Sequence, residues 1–195
     1  MKLCVKCYGE YELNMGIVSK QEWTEKCVSV RLVVCDVDGT LTNGGMYYSA
    51  EGEVMKRFSA HDGMGLRLLL HFGIQVALMT SETTTFAAAR ARKLGIPHVL
   101  AGIEDKGQAI QELAVTVNIS LADTLYIGDD INDLPAMRLC GVIACPSDAV
   151  YAIRRQAHFI SEARGGHGAV REIAEMILAA QGKNTESSIV FSKIH

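Results

Sequence analysis

Val33-Val-Cys-Asp-Val-Asp-Gly-Thr-Leu-Thr42 decides the reading of this chain. Its short apolar run with β-branched residues reads as a buried strand, ending in two carboxylates, Asp36 and Asp38, and a glycine turn. In an open α/β sheet the ligand crevice lies at the carboxyl ends of the strands, so both acids are delivered to it. Two residues apart, they would share one face of a continuing strand. Like charges that close call for a cation, and a hard divalent metal with oxygen ligands, Mg²⁺, is the economical one. Taken alone, Asp-x-Asp-Gly reads equally well as a plain turn, since both residue types favour turns.

Three further elements, always at a strand or helix end, separate those readings. Gln75-Val-Ala-Leu-Met-Thr80 is a second apolar strand that ends in a hydroxyl residue, with Ser81 behind it. Lys106 opens a helix over 106–117. Thr124-Leu-Tyr-Ile-Gly-Asp-Asp-Ile-Asn-Asp133 is a strand that runs into an acidic loop. A carboxylate nucleophile, a hydroxyl donor, a lysine and an acidic loop in this order are far more specific than any one of them. Lys106 by itself would read as a solvent-facing helix residue.

Bulk properties narrow the classes. The chain has 195 residues, room for one domain with its own core. A net charge of −3 gives no electrostatic footprint for nucleic acid. No apolar run approaches a membrane span and no signal-type apolar segment opens the chain, so a soluble cytoplasmic protein is expected. Of the six cysteines, Cys35, Cys140 and Cys145 fall in or beside apolar elements, where a thiol acts as a small hydrophobe. Cys4 and Cys7 form a Cys-x-x-Cys that no second pair completes into a metal site.

From Val30 to Gly182 strand and helix patterns alternate, which predicts a doubly wound, Rossmann-like parallel sheet. Helices are expected over 62–72, 84–94, 131–140, 148–156 (with Ser147 as N-cap) and 169–181, several closed by the glycines 73, 95, 141 and 182. Residues 44–59 break the alternation and read as a hairpin, with arms Met46–Ser49 and Val54–Phe58 around Glu51-Gly52. Its Met46, Tyr47, Tyr48 and Phe58 suit an interface. Residues 1–29 precede the domain, and the sequence leaves open whether they pack on it; 183–195 form a tail.

The set resembles the motifs of the haloacid dehalogenase superfamily of phosphotransferases, over about residues 30–180. With a hairpin in place of a cap domain, the chain is similar to the capless subclass, which implies a homotetramer whose sites are covered by neighbouring subunits. The resemblance implies Asp36 as the nucleophile that becomes an aspartyl-phosphate and Asp38 as the acid and base for the leaving group and water. Asp36, Asp129 and the main-chain carbonyl of Asp38 would hold Mg²⁺. Asp130 and Asp133 would orient them, either able to trade places with Asp129. Thr80 and Lys106 would stabilise the charge spread over the transferring phosphoryl group.

Arg164-Gly165-Gly166-x-Gly168, the small size and the hairpin resemble phosphatases of 2-keto-3-deoxy sugar acids. After Thr80-Ser81, an arginine is usual in the branch acting on the eight-carbon acid, 3-deoxy-manno-octulosonate 8-phosphate. This chain has Glu82, with Arg90 and Lys93 on one helix face, which resembles the nine-carbon (nonulosonate 9-phosphate) branch. Ser81 departs from that branch's common glycine. Arg90 and Lys93 would clamp a sugar-acid carboxylate, on their own chain or across a subunit boundary. Three rivals remain: a receiver-type domain, whose phosphoacceptor would lie on a later strand; a non-catalytic oligomerisation module, which requires broken acids; and, the most serious, a phosphatase of another small phosphate.

Overall fold

The computed structural model describes residues 20–83 and 85–185. Six parallel strands form the sheet, in the order β5-β4-β1-β6-β7-β8. They are β1 (Leu32–Asp36), β4 (Gln75–Met79), β5 (His98–Leu100), β6 (Thr124–Ile127), β7 (Val142–Cys145) and β8 (Phe159–Ile160). A separate antiparallel pair, β2 (Tyr47–Ser49) and β3 (Gly52–Met55), is the hairpin. No helix among the described residues is long and apolar enough to cross a membrane.

Alternation within the strands divides the core. Val33 and Cys35 of β1, Val76 and Leu78 of β4 and Leu125 and Ile127 of β6 pack on one face. There they meet α1 (Lys20–Val28), α2 (Ala60–His71), α3 (Phe86–Leu94) and α7 (Ala169–Ala180). Leu32, Val34, Ala77, Met79 and Tyr126 point to the other face, against α4 (Lys106–Val117), α5 (Leu134–Met137) and α6 (Tyr151–Arg154). Both faces of β1 are buried, as its unbroken apolar run requires. This is the doubly wound architecture.

Several boundaries move. Lys20–Val28, in the stretch the sequence leaves undecided, is a helix that buries Trp23 and Cys27 against the domain and packs on α7. Cys4, Cys7 and residues 186–195 lie outside the described residues. The helix expected over 131–140 is a 3-10 turn, Ile131–Asp133, followed by the short α5. Pro135 sits in the first turn of α5, where its missing N–H starts a new helix rather than continuing one. Gly141 closes no helix; a side chain there would strike the Ala122 carbonyl. The helix expected over 148–156 shrinks to Tyr151–Arg154, and Ser147 does not cap it. The Val150 N–H is engaged by the Asp129 carbonyl, which holds that stretch against the acidic loop. The hairpin arms are shorter than expected, and Phe58 turns inward to pack against the core.

Candidate active site

Parallel register decides which residues meet at the carboxyl edge of the sheet. Asp36 pairs with Met79, so Thr80 leaves the sheet on one side of it. Cys35 pairs with Ile127, so Gly128 and Asp129 leave on the other. Asp36 continues the set of Leu32 and Val34, which faces α4. Lys106 is the first residue of α4, and Asp105 caps that helix by accepting the Gln108 N–H.

A lysine at a helix N-terminus is opposed by the helix dipole. Its partners explain it. Nζ of Lys106 lies 2.6 Å from Oδ1 of Asp36 and 2.6 Å from Oδ1 of Asp133, with its side chain 1 % exposed. Burial alone would push the Lys106 pKa down, but Asp36 and Asp133 outweigh it and raise it. Burial, and then repulsion from Asp133, raise the Asp36 carboxyl well above the usual range, against the pull of Lys106.

Asp133 is saturated. Oδ1 accepts from Lys106 and from the Tyr126 hydroxyl at 2.9 Å, and Oδ2 accepts the Asp129 and Asp130 N–H groups. Four bonds use the acceptor sites of a carboxylate, so Asp133 orients Lys106 and the acidic loop. Asp130 is exposed and serves as the N-cap of the 3-10 turn. Asp129 faces Asp36, with Oδ1 accepting the Thr40 hydroxyl at 2.9 Å. Burial pushes the Asp129 carboxyl up to about 6, opposed by the Thr40 bond and reinforced by Asp133. Gly39, at φ +98°, takes a backbone conformation that side-chain-bearing residues rarely adopt, and a Cβ there would also crowd the Asp129 carboxylate.

The donors fit a hard divalent cation. Among the described residues, Asp36, Asp129 and Asp133 bring carboxylate oxygens within 4.8 Å of one another. Three acids face one lysine, so negative charge is in excess at this point, and a cation would favour the charged form of the buried carboxylates. With Asp133 saturated, Asp36 and Asp129 are the carboxylates placed to hold Mg²⁺.

Asp38 departs from the strand-face expectation. Strand β1 stops at Asp36, and Asp38 lies in the turn that follows. Its Oδ1 pairs with Lys56 Nζ at 2.5 Å and its Oδ2 accepts the Thr80 hydroxyl at 3.0 Å. The carboxylate stands outside the trio, which leaves only its main-chain carbonyl for a metal. Thr80 also accepts the Glu82 N–H, so its hydroxyl is tied to Asp38 and the following turn.

The expected substrate residues divide. Ser81 is exposed and accepts from the Asn132 amide at 3.4 Å. Glu82 is half-buried and adds to the negative field at Lys56. Arg90 is turned away: its guanidinium donates to the Ser59 carbonyl at 2.9 Å and lies over the Phe58 ring. Lys93 is exposed. These two basic residues do not converge on Asp36 within the chain.

Lys56, Thr40 and Tyr126 escaped sequence reasoning. Lys56 and Thr40 sit in stretches already singled out, but nothing in their spacing aims them at Asp38 or Asp129. The glycine run does have a visible purpose. The Gly166 N–H donates to the Thr40 carbonyl at 3.0 Å, and Gly165 lies against the Gly39 carbonyl with no room for a side chain. It backs the turn that carries Asp38.

Comparison with known proteins gives the family. The model of the haloacid dehalogenase-like hydrolases matches residues 98–173. The chain is 38 % identical to 3-deoxy-D-manno-octulosonate 8-phosphate phosphatase KdsC of Yersinia pestis over 159 residues, 82 % of this chain and 85 % of that protein. Its counterpart from Escherichia coli K12 is 34 % identical over 181 residues, 93 % of this chain and 92 % of the other. The crystal structure of the Moraxella catarrhalis phosphatase, in complex with magnesium, phosphate and a KDO molecule, superposes with a TM-score of 0.80. That chain is 37 % identical, over 83 % of this chain and 93 % of the other. The chain belongs to the haloacid dehalogenase-like hydrolases, in the family of the 3-deoxy-D-manno-octulosonate 8-phosphate phosphatases.

Proposed function

We propose that this hydrolase is a Mg²⁺-dependent phosphatase of 3-deoxy-D-manno-octulosonate 8-phosphate that works through an aspartyl-phosphate on Asp36. The observation that carries the chemistry is the buried Lys106 between Asp36 and Asp133, with Asp129 beside them. It presents a carboxylate, fixed in place, where charge must be neutralised for an anion to be attacked.

Phosphate monoesters hydrolyse extremely slowly in water, and a covalent intermediate divides the barrier. An oxygen of Asp36 bonds to phosphorus as the ester oxygen departs, and Asp38 gives that oxygen its proton. Water then attacks phosphorus, its proton passes to Asp38, and the Asp36 carboxylate is restored as phosphate leaves. Lys106 and the N–H groups after Asp36 face the charge on the equatorial oxygens. Thr80 holds Asp38 for the proton steps. Asp36, Asp129 and the Asp38 carbonyl would hold Mg²⁺, which supplies Lewis-acid charge to the phosphoryl oxygens when bound.

The eight-carbon substrate rests on the relatives described above, which carry that name. The nine-carbon reading of Glu82 finds no support in them. A homotetramer is inferred from the resemblance to the capless subclass, and the exposed Met46, Tyr47, Tyr48, Val54 and Met55 support an interface at the hairpin. A cytoplasmic location accords with that substrate class. Phosphate release with Mg²⁺ from the eight-carbon and nine-carbon esters tests the substrate. The expected kcat/KM is highest for 3-deoxy-D-manno-octulosonate 8-phosphate; preference for a nine-carbon ester restores the reading of Glu82.

A further inference from the structure

The chain returns from the hairpin to the sheet through Lys56. Its side chain is 2 % exposed, although it directly follows strand β3, where Val54 and Met55 are open to solvent. Taking an ammonium out of water is costly unless partners replace the hydration, so its partners define its role. Nζ lies 2.5 Å from Oδ1 of Asp38 and 3.5 Å from Oε1 of Glu53. The Glu53 contact is one of charge, since neither Glu53 carboxylate oxygen has a hydrogen-bond partner among the described residues. The short bond goes to Asp38.

A carboxylate on a turn rotates broadly about its terminal torsion. Here Lys56 fixes one oxygen and the Thr80 hydroxyl fixes the other, so the plane of the carboxyl group is set by two anchors from different elements. Unlike Asp36, Asp38 also stands outside the carboxylate cluster formed with Asp129 and Asp133. Its orientation therefore depends on Lys56 and Thr80.

We infer that Lys56 is a positioning residue that holds the Asp38 carboxyl in line with the departing ester oxygen, so that the hairpin takes part in the proton step. This rests on the reading of Asp38 as proton donor given above. A misplaced donor penalises only esters whose oxygen needs a proton to leave. An alkyl ester does; p-nitrophenolate departs without one.

The test is the first-turnover rate, with Mg²⁺, of Lys56→Met on 3-deoxy-D-manno-octulosonate 8-phosphate and on p-nitrophenyl phosphate. Asp38→Asn serves as reference and Lys56→Arg as the conservative variant. Lys56→Met should slow the sugar ester by about 100-fold, the bottom of the general-acid range, and the aryl ester by less than about threefold. Lys56→Arg, which keeps a donor on Asp38, should recover most of the loss on the sugar ester. An equal fall on both esters, or no fall on either, overturns the inference; Lys56→Gln is read in the same way if the methionine variant does not fold. If Asp38→Asn shows the contrast and Lys56→Met does not, only the inference about Lys56 fails. If Asp38→Asn slows both esters equally, the reading of Asp38 itself falls, and this inference with it.

Discussion

The Thr40 hydroxyl donates a 2.9 Å hydrogen bond to Oδ1 of Asp129, tying the turn after β1 to the loop after β6. Thr40 is fully buried, and the bond aims Asp129 at Asp36. Partners that orient a metal ligand typically carry about 10- to 100-fold in metal affinity. Thr40→Val should raise the Mg²⁺ concentration for half-maximal activity by about tenfold, with kcat at saturating Mg²⁺ changed far less. A titration of activity against Mg²⁺ checks it. An unchanged half-saturation point would remove Thr40 from the site.

Lys106→Met leaves Asp36 and Asp133 buried without their cation. Breaking a buried ion pair from one side costs about 3–5 kcal/mol. Urea unfolding in a chelator should show a loss of that size, and phosphatase activity should fall by more than about 100-fold. A stability change below about 1 kcal/mol would mean that the acids rearrange freely.

Metal-free protein should lose stability as pH rises from about 4 to about 6. Burial puts the Asp129 carboxyl at about 6 in the folded chain, against about 3.9 unfolded. Over that window the folded state binds the extra proton, so its advantage is full below about 4 and gone once pH passes about 6. At 1.36 kcal/mol per unit the full shift is worth about 3 kcal/mol before solvent screening. Asp129→Asn should make the fall less steep in chelator, the slope that remains belonging to Asp36, whose carboxyl burial also raises. A metal-free profile that rises with pH across this range contradicts the assignment.

The hairpin presents Tyr47 and Tyr48 to solvent, 46 % and 66 % exposed. If it forms the tetramer interface, Tyr47→Glu with Tyr48→Glu places charge where apolar surface is covered. Sedimentation should show a tetramer for the parent chain and smaller species for the double variant. A parent chain that sediments as a monomer would dismiss the interface.

Much of this site was legible because parallel strands bring sequence-distant ends together in a predictable way. An apolar run ending in Asp36, another ending in Thr80 and a third ending in Asp129 must meet at one edge. Lys106 was legible as the opening of the helix 106–117; its Asp105 cap and its place on the Asp36 side were not. Hydrogen bonds made by single side chains across the fold were not. Lys56 reaches Asp38 over 18 positions and Thr40 reaches Asp129 over 89, and neither leaves a periodic trace. Within its own chain Arg90 is turned by packing onto Ser59 and Phe58, which its helix spacing with Lys93 does not reveal. Short helices after β6 and β7 were overextended, because Pro135 and the Val150 bond to Asp129 act through local geometry rather than hydropathy.

Trapping the covalent intermediate tests the central claim most directly. The chain is mixed with Mg²⁺ and 3-deoxy-D-manno-octulosonate 8-phosphate, quenched in acid within the first turnover and reduced with borohydride, which converts an aspartyl-phosphate to homoserine. Mass spectrometry of the peptide spanning 33–42 should place homoserine at position 36, and Asp36→Asn should abolish both the mark and turnover. Sustained phosphate release with Asp36 unmarked would contradict covalent catalysis at this residue and point to direct attack by water.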